Sequence, residues 1–334
     1  MKNPIIPLHD VSWQSYSWQW HLSHAITSAP ALLEKLSLAL PSALTDFPVR
    51  VPLPWLARME PGNPDDPLLR QVFPYPEETV VIQGKGEKDP LQESRFSPTP
   101  GVLQKYHARA LIISTGQCAI HCRYCFRRHF PYHSFQPDTD QWQSILTYLR
   151  EEKALAEVIL SGGDPLTLND GHLLRLITDL SAIPHLRVLR IHTRFPIVIP
   201  QRVTPSLLDA LATSRLKTVM VVHINHAREI DTSVKNAMQS VASGGTQLLN
   251  QSVLLRGIND NLDALEALSW ALADTGVLPY YLHLMDDVQG AHHYQVGDAK
   301  GKQLVEDLRA RLPGYLVPGL AREEPGRPSK TLFR

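Results

Sequence analysis

The sequence predicts an α/β protein built as an incomplete (β/α)6 TIM-like barrel, with a helical, proline-rich N-terminal layer and a short C-terminal segment. Three observations carry this. After residue 109, short aliphatic and β-branched runs alternate six times with amphipathic helical stretches. The first 105 residues hold 15 of the 27 prolines, yet they are also rich in leucine and tryptophan. The 334 residues are ample for a large core. A doubly wound open sheet is the alternative that the same alternation allows.

In chain order, residues 1–105 read as a layer packed on the barrel, with Trp13, Trp18 and Trp20 beside two helices near 14–27 and 31–40. Prolines in Arg50-Val-Pro-Leu-Pro-Trp55 punctuate it. Residues 106–290 form the barrel. Its strands are expected at 110–114, 158–160, 188–192, 218–224, 247–254 and 280–284. Its helices are expected at 140–153, 171–183, 205–213, 232–243, 262–274 and 300–311, the last beyond residue 290. Helix starts are marked by Thr139 or Asp138, Asn169 or Asp170, Thr204 followed by Pro205, Asp231 and Asn261. Residues 291–334 are the C-terminal segment, and composition alone makes 321–334 a solvated tail.

With 33 basic and 33 acidic side chains the net charge is zero, which gives no electrostatic reason to expect nucleic acid or an anionic membrane as partner. No apolar run reaches the roughly 18–20 residues of a membrane helix. The opening residues carry no signal-like apolar core. A cytoplasmic location is expected.

All three cysteines lie in one octapeptide, Cys118 to Cys125. That crowding suits a loop around a metal centre better than a disulfide framework. Zinc would need a fourth ligand such as His121 or His129. A 4Fe–4S cluster can be held at three irons with the fourth left open. Three buried free thiols are the plainest alternative. The loop follows the first strand, where a barrel places its chemistry. Ser161-Gly162-Gly163-Asp164, His192-Thr193-Arg194, His223-Ile224-Asn225-His226 and Asp286-Asp287 end later strands and converge on the same mouth.

The Cys-x3-Cys-x2-Cys loop with Gly162-Gly163-Asp164 resembles the radical S-adenosylmethionine (SAM) superfamily. Phe47-Pro-Val-Arg-Val-Pro-Leu-Pro-Trp55, Leu160-Ser-Gly-Gly-Asp164, Asn250-Gln-Ser-Val-Leu-Leu-Arg-Gly257, Pro279-Tyr-Tyr281 and Pro325-Gly-x3-Lys330-Thr331 narrow that to a resemblance to the lysine 2,3-aminomutase family, in the branch that serves elongation factor P. The resemblance implies a barrel of the radical SAM type and an isomerase that makes (R)-β-lysine from free L-α-lysine. It also implies an electron donor such as a flavodoxin or ferredoxin and a functional link to the elongation factor P β-lysine ligase.

Residue by residue, the resemblance implies that Cys118, Cys122 and Cys125 hold the 4Fe–4S cluster. Ser161, Gly162, Gly163 and Asp164 would meet SAM, the glycines by close backbone approach, with His223 and Gln251 near its ribose. Lys330 would form the Schiff base with pyridoxal 5′-phosphate (PLP), with Lys105 and Arg109 at its phosphate. Arg127 would take the substrate carboxylate, and Asp286 and Glu323 its ε-ammonium. The chain departs from the family pattern at Glu323, where the family has aspartate, and at Arg327-Pro328-Ser329, where it has glycines. Asn261 stands where longer relatives have a zinc-binding cysteine, so that zinc site is not expected. An aminomutase for another amino acid, such as glutamate, and a non-catalytic iron–sulfur protein are the rival readings.

Overall fold

The computed structural model describes residues 11–132 and 139–333. Nine strands form one open sheet in chain order. β1 (Val102–Tyr106) pairs antiparallel with β2 (Arg109–Thr115). β2 then pairs in parallel with β3 (Glu157–Gly162), and the pattern continues through β4 (Val188–Thr193), β5 (Lys217–Val222), β6 (Gln247–Leu254), β7 (Leu278–Leu284) and β8 (Gly319–Arg322). β9 (Thr331–Leu332) returns antiparallel on β8.

The helices are α1 (Trp18–Ser23), α2 (Ala29–Leu36), α3 (Leu53–Leu56), α4 (Thr139–Glu151), α5 (Asp170–Ser181), α6 (Phe195–Val198), α7 (Pro205–Ala212), α8 (Thr232–Ser243), α9 (Leu262–Asp274) and α10 (Asp298–Arg311). All six expected strands and all six expected barrel helices are present, with no end moved by more than two residues. Asn169, Thr204, Asp231 and Asn261 each cap their helix through a side-chain oxygen. The expected cap at Asp138 lies outside the described residues. No described helix is long and apolar enough to cross a membrane.

Three differences have local causes. The N-terminal helices are shorter than expected because Ser17 caps the first late, while the second, capped by Ser28, is ended early by Ser37 in the left-handed region at φ 54°. β5 stops two residues early because Asn250 takes over the hydrogen bonds of Ile224: its Oδ1 accepts from the Ile224 N–H and its Nδ2 donates to the Ile224 carbonyl. The tail is not a solvated terminus. β8 extends the parallel wall and β9 folds back on it through Gly326, at φ +77°, so Lys330 is held against the barrel. The expected boundary at 105/106 falls inside β1.

The core is continuous. Trp18, Leu32, Trp55 and Phe73 of the N-terminal layer belong to the same buried cluster as Val158, Leu189 and Met220 of the barrel. The layer's proline-rich strip is a bed for the cysteine loop. Arg50 donates to the Cys118 carbonyl at 3.4 Å and accepts from the His121 N–H at 3.2 Å. Arg123, fully buried, forks onto Glu78 at 2.7 and 2.5 Å.

The turn after β3 closes on that loop from the other side. Gly163 N–H donates to the Thr115 carbonyl and Asp164 N–H to the Gln117 carbonyl, both at 2.7 Å. A Cβ on Gly163 would lie 2.3 Å from the Gln117 oxygen, and one on Gly162, at φ +121°, 2.4 Å from the Thr115 oxygen. Both obstacles are backbone and cannot swing aside. Gly163→Ala is therefore expected to lower stability by at least ~2 kcal/mol and to displace the cysteine loop. Thermal unfolding with iron content after reconstitution checks this; a variant with both unchanged would refute it.

Candidate active site

The C-terminal strand ends open on one cavity of about 520 Å3. All the residues given cofactor or substrate roles line it: Lys105, Arg109, Cys118, Cys122, Cys125, Arg127, Ser161, Gly162, Gly163, Asp164, His223, Gln251, Asp286, Glu323 and Lys330; Asn225, His226 and Asp287, also expected at this mouth, do not.

At the cysteine end, burial and then the neighbouring thiols push Cys118 well above the ordinary thiol range and Cys125 up to about 11. Thiols crowded in this way ionise together only with an electron-poor centre among them. Among the described residues no three Cys, His, Asp or Glu side chains are grouped to hold a single metal ion. His121 and His129 point instead at backbone carbonyls, of Pro48 at 2.9 Å and Gln289 at 3.3 Å.

The Ser161–Asp164 turn departs from expectation in its physical reasons. The side-chain direction of Gly162 leads into the end of β2 and that of Gly163 into Gly116 and Gln117, just before Cys118, not into open space. The Asp164 carboxylate is committed inside the protein: it accepts from Leu166 N, Thr193 Oγ1, Arg194 N and Phe195 N at 2.7–3.0 Å. Burial lifts it to about 6 against those four bonds. Its side chain thus ties β3 to β4 and is not a free charge for SAM.

At the opposite end, charges alternate. Arg127 forks onto Glu93 at 2.7 and 2.8 Å. Lys105 lies 3.3 Å from Glu93 and 2.9 Å from Glu323, and Glu323 also holds Lys330. Burial would raise both carboxyls, but their cations win: Glu93 falls below its ordinary range and Glu323 to about 2. Lys105 is thus balanced by two carboxylates. Arg109 stacks on Tyr106 at 4.2 Å and has no ion pair among the described residues. The Asp286 carboxylate meets no donor among the described residues; burial, then Glu323, pushes it to about 7.

Three histidines complete the wall. Burial holds His192, His223 and His283 neutral, the last at about 3. The Tyr124 hydroxyl accepts from Arg194 and from Asn225, each at 2.7 Å. It lies 3.3 Å from Gln71 Oε1 and 3.1 Å from His223 Nε2, which ties His223 to the Arg194 and Asn225 network. His192 was expected at this mouth as a strand-end residue; Glu93, Tyr124 and His283 were not expected at the site.

Comparison with known proteins places this cavity. The Radical SAM superfamily description matches residues 112–243. L-lysine 2,3-aminomutase of Escherichia coli (strain K12) is 49% identical over 321 residues, 94% of this chain and 93% of that one. The protein of the same name from Haemophilus influenzae is 46% identical over 98% and 99%, and that from Buchnera aphidicola 41% over 94% of each. The chain belongs to the L-lysine 2,3-aminomutase family.

The family works with a 4Fe–4S cluster, SAM and PLP. The cavity of this aminomutase-family chain fits such groups: three crowded thiols at one end, an unpaired guanidinium and a half-buried lysine at the other. Asn261 caps α9, which is the work it does here in place of a metal ligand.

The raised Asp286 carboxyl gives a pH test. Were Asp286 the group that holds the substrate ammonium, only its ionised form would do so, and lysine affinity would be fully present well above pH 7 and lost as pH falls through about 7. The loss should approach tenfold per pH unit below that point. KM for lysine against pH measures it. Asp286→Asn should bind lysine weakly and without that dependence; an unchanged profile in the variant would exclude Asp286 as the group. The folded state has the opposite sign, because Asp286 stays protonated at pH 4–7 while the unfolded chain ionises. Its burial therefore destabilises progressively across that window.

Proposed function

We propose that this chain is an L-lysine 2,3-aminomutase, a radical SAM, PLP-dependent isomerase that converts L-α-lysine to (R)-β-lysine for the modification of elongation factor P. The charge layout of the cavity carries this reading. An arginine held in a fixed plane suits a planar carboxylate. Two carboxylates beside Lys330, one of them unpaired, suit an ammonium. A glutamate side chain would meet the repulsion of Asp286 and Glu323, which disfavours an aminomutase for that amino acid.

When bound, the cluster and SAM supply a hydrogen-abstracting radical, and PLP supplies the conjugated carbon that carries the migrating nitrogen. The chain's own residues then have distinct tasks. Cys118, Cys122 and Cys125 hold the cluster. Ser161, Gly162 and Gly163 present backbone to SAM, with Asp164 fixing their turn from behind. His223 and Gln251 meet the ribose. Lys330 holds PLP and yields to the substrate amine. Arg109 takes the phosphate, while Lys105 keeps Glu323 ionised nearby. Arg127 fixes the substrate carboxylate, and Asp286 and Glu323 fix its ε-ammonium.

In the same reading, the layer of 1–105 supports the barrel of 106–290, and the 291–334 segment delivers Glu323 and Lys330 to it. A small one-electron carrier such as a flavodoxin or ferredoxin reduces the cluster in the cytoplasm. The product passes to the elongation factor P β-lysine ligase.

Two variants separate the ends of the site. Cys122→Ala should lose 4Fe–4S content and SAM cleavage together; full cleavage would sink the cluster assignment. Lys330→Ala should keep the cluster, lose the visible absorbance of lysine-bound PLP, and lose turnover by at least a thousandfold. Iron analysis, absorbance and a β-lysine assay read all three. A borohydride-reduced peptide map with PLP on another lysine would reject Lys330.

A further inference from the structure

Arg194, at the end of β4, is buried against the cysteine loop, and the assignments so far give it no task toward the cofactors. Its Nη1 donates to Cys122 Sγ and to the Tyr124 hydroxyl, each at 2.7 Å. Its Nη2 donates to Gln71 Oε1 at 2.6 Å and Glu229 Oε2 at 2.9 Å. Trp55 lies under the guanidinium at 4.6 Å. Each partner is held in turn: Glu229 Oε1 accepts from Gln71 Nε2 and Asn225 N, both at 2.9 Å. The main-chain N–H of Arg194 is fixed on Asp164 at 2.7 Å. The guanidinium therefore cannot move away from Cys122 without breaking several buried bonds.

We propose that Arg194 is a positioning residue for the iron–sulfur centre: it clamps the Cys122 sulfur with a charged hydrogen bond and raises the reduction potential of the cluster. The proposal rests on the reading of Cys118, Cys122 and Cys125 as cluster ligands. Reduction by a low-potential one-electron donor adds one electron and changes no bond or proton. A fixed cation that donates to a ligand sulfur stabilises the more negative, reduced state more than the oxidised one. Glu229 offsets part of that charge but lies on the far side of the guanidinium fork from Cys122.

The test is an anaerobic redox titration of the reconstituted enzyme, followed by electron paramagnetic resonance, with iron and sulfide counted first. Removing Arg194 alone would leave Glu229 buried and uncompensated, so the variant is Arg194→Gln with Glu229→Gln, which removes both charges together. With the cluster fully loaded, the ratio of reduced to oxidised cluster at a given potential should fall about tenfold, a midpoint about 59 mV lower for a one-electron couple. Arg194→Lys keeps a cation but not the fork, and should shift the same way by less. A loaded double variant with the wild-type midpoint overturns the proposal. If the double variant takes up no iron, an unshifted midpoint in Arg194→Lys overturns it instead. A wild-type protein that binds no 4Fe–4S cluster would fail the underlying reading, and the iron count shows which has failed.

Discussion

Five side chains of alternating sign run around one end of the cavity: Arg127, Glu93, Lys105, Glu323 and Lys330. They come from every part of the chain. Glu93 belongs to the N-terminal layer, Lys105 to β1, Arg127 to the cysteine loop, and Glu323 and Lys330 to the C-terminal hairpin. An isolated ion at such depth costs several kcal/mol, so each charge is tolerable only with its neighbours in place. The same contacts that make the site ionic therefore fix where the layer and the tail sit on the barrel. The fold tolerates an open sheet here because the charges cross the gap that a closed barrel would fill with strands.

The cysteine end is held by a different force. There the backbone itself is packed, with Gly162 and Gly163 pressed on the Thr115 and Gln117 carbonyls and the Arg50 strip beneath. Asp164 and Glu229, both buried, act as knots: each accepts four hydrogen bonds, from different strand ends. Hydrogen bonds to a buried carboxylate are directional, so these knots set the angles of the loops they join. The cysteine loop, Tyr124 and His223 inherit their positions from them.

How much of this was legible in the sequence divides along the same line. Strand and helix order were legible because period and caps are local: Asn169, Thr204, Asp231 and Asn261 bond to N–H groups three residues away. The cysteine loop and Lys330 were legible through spacing and resemblance. β1, β8 and β9 were missed because they are only two to five residues long and lie at or near the sheet edges, where no alternating pattern is needed. Glu93 was missed because nothing near it in sequence marks a carboxylate that will meet Arg127, 34 residues on. Asp164 was read as a charge for a ligand because its four donors are set by the meeting of β3 and β4, which no short motif encodes.

The alternating row also accounts for the choice of a cationic amino acid. With Lys330 free, Glu323 has two ammonium partners and Asp286 stands nearby without one. Were Lys330 engaged with PLP, Glu323 would keep only Lys105, and two neighbouring carboxylates would face each other. Like charges in a low-dielectric wall repel strongly, and protonation would relieve this only by giving up a charge. A second ammonium, brought on a flexible aliphatic chain, relieves it without loss of charge on either group. The Glu323 carboxylate reaches Lys105 and Lys330 at once. Loading the lysine of the protein thus prepares the place for the lysine of the substrate.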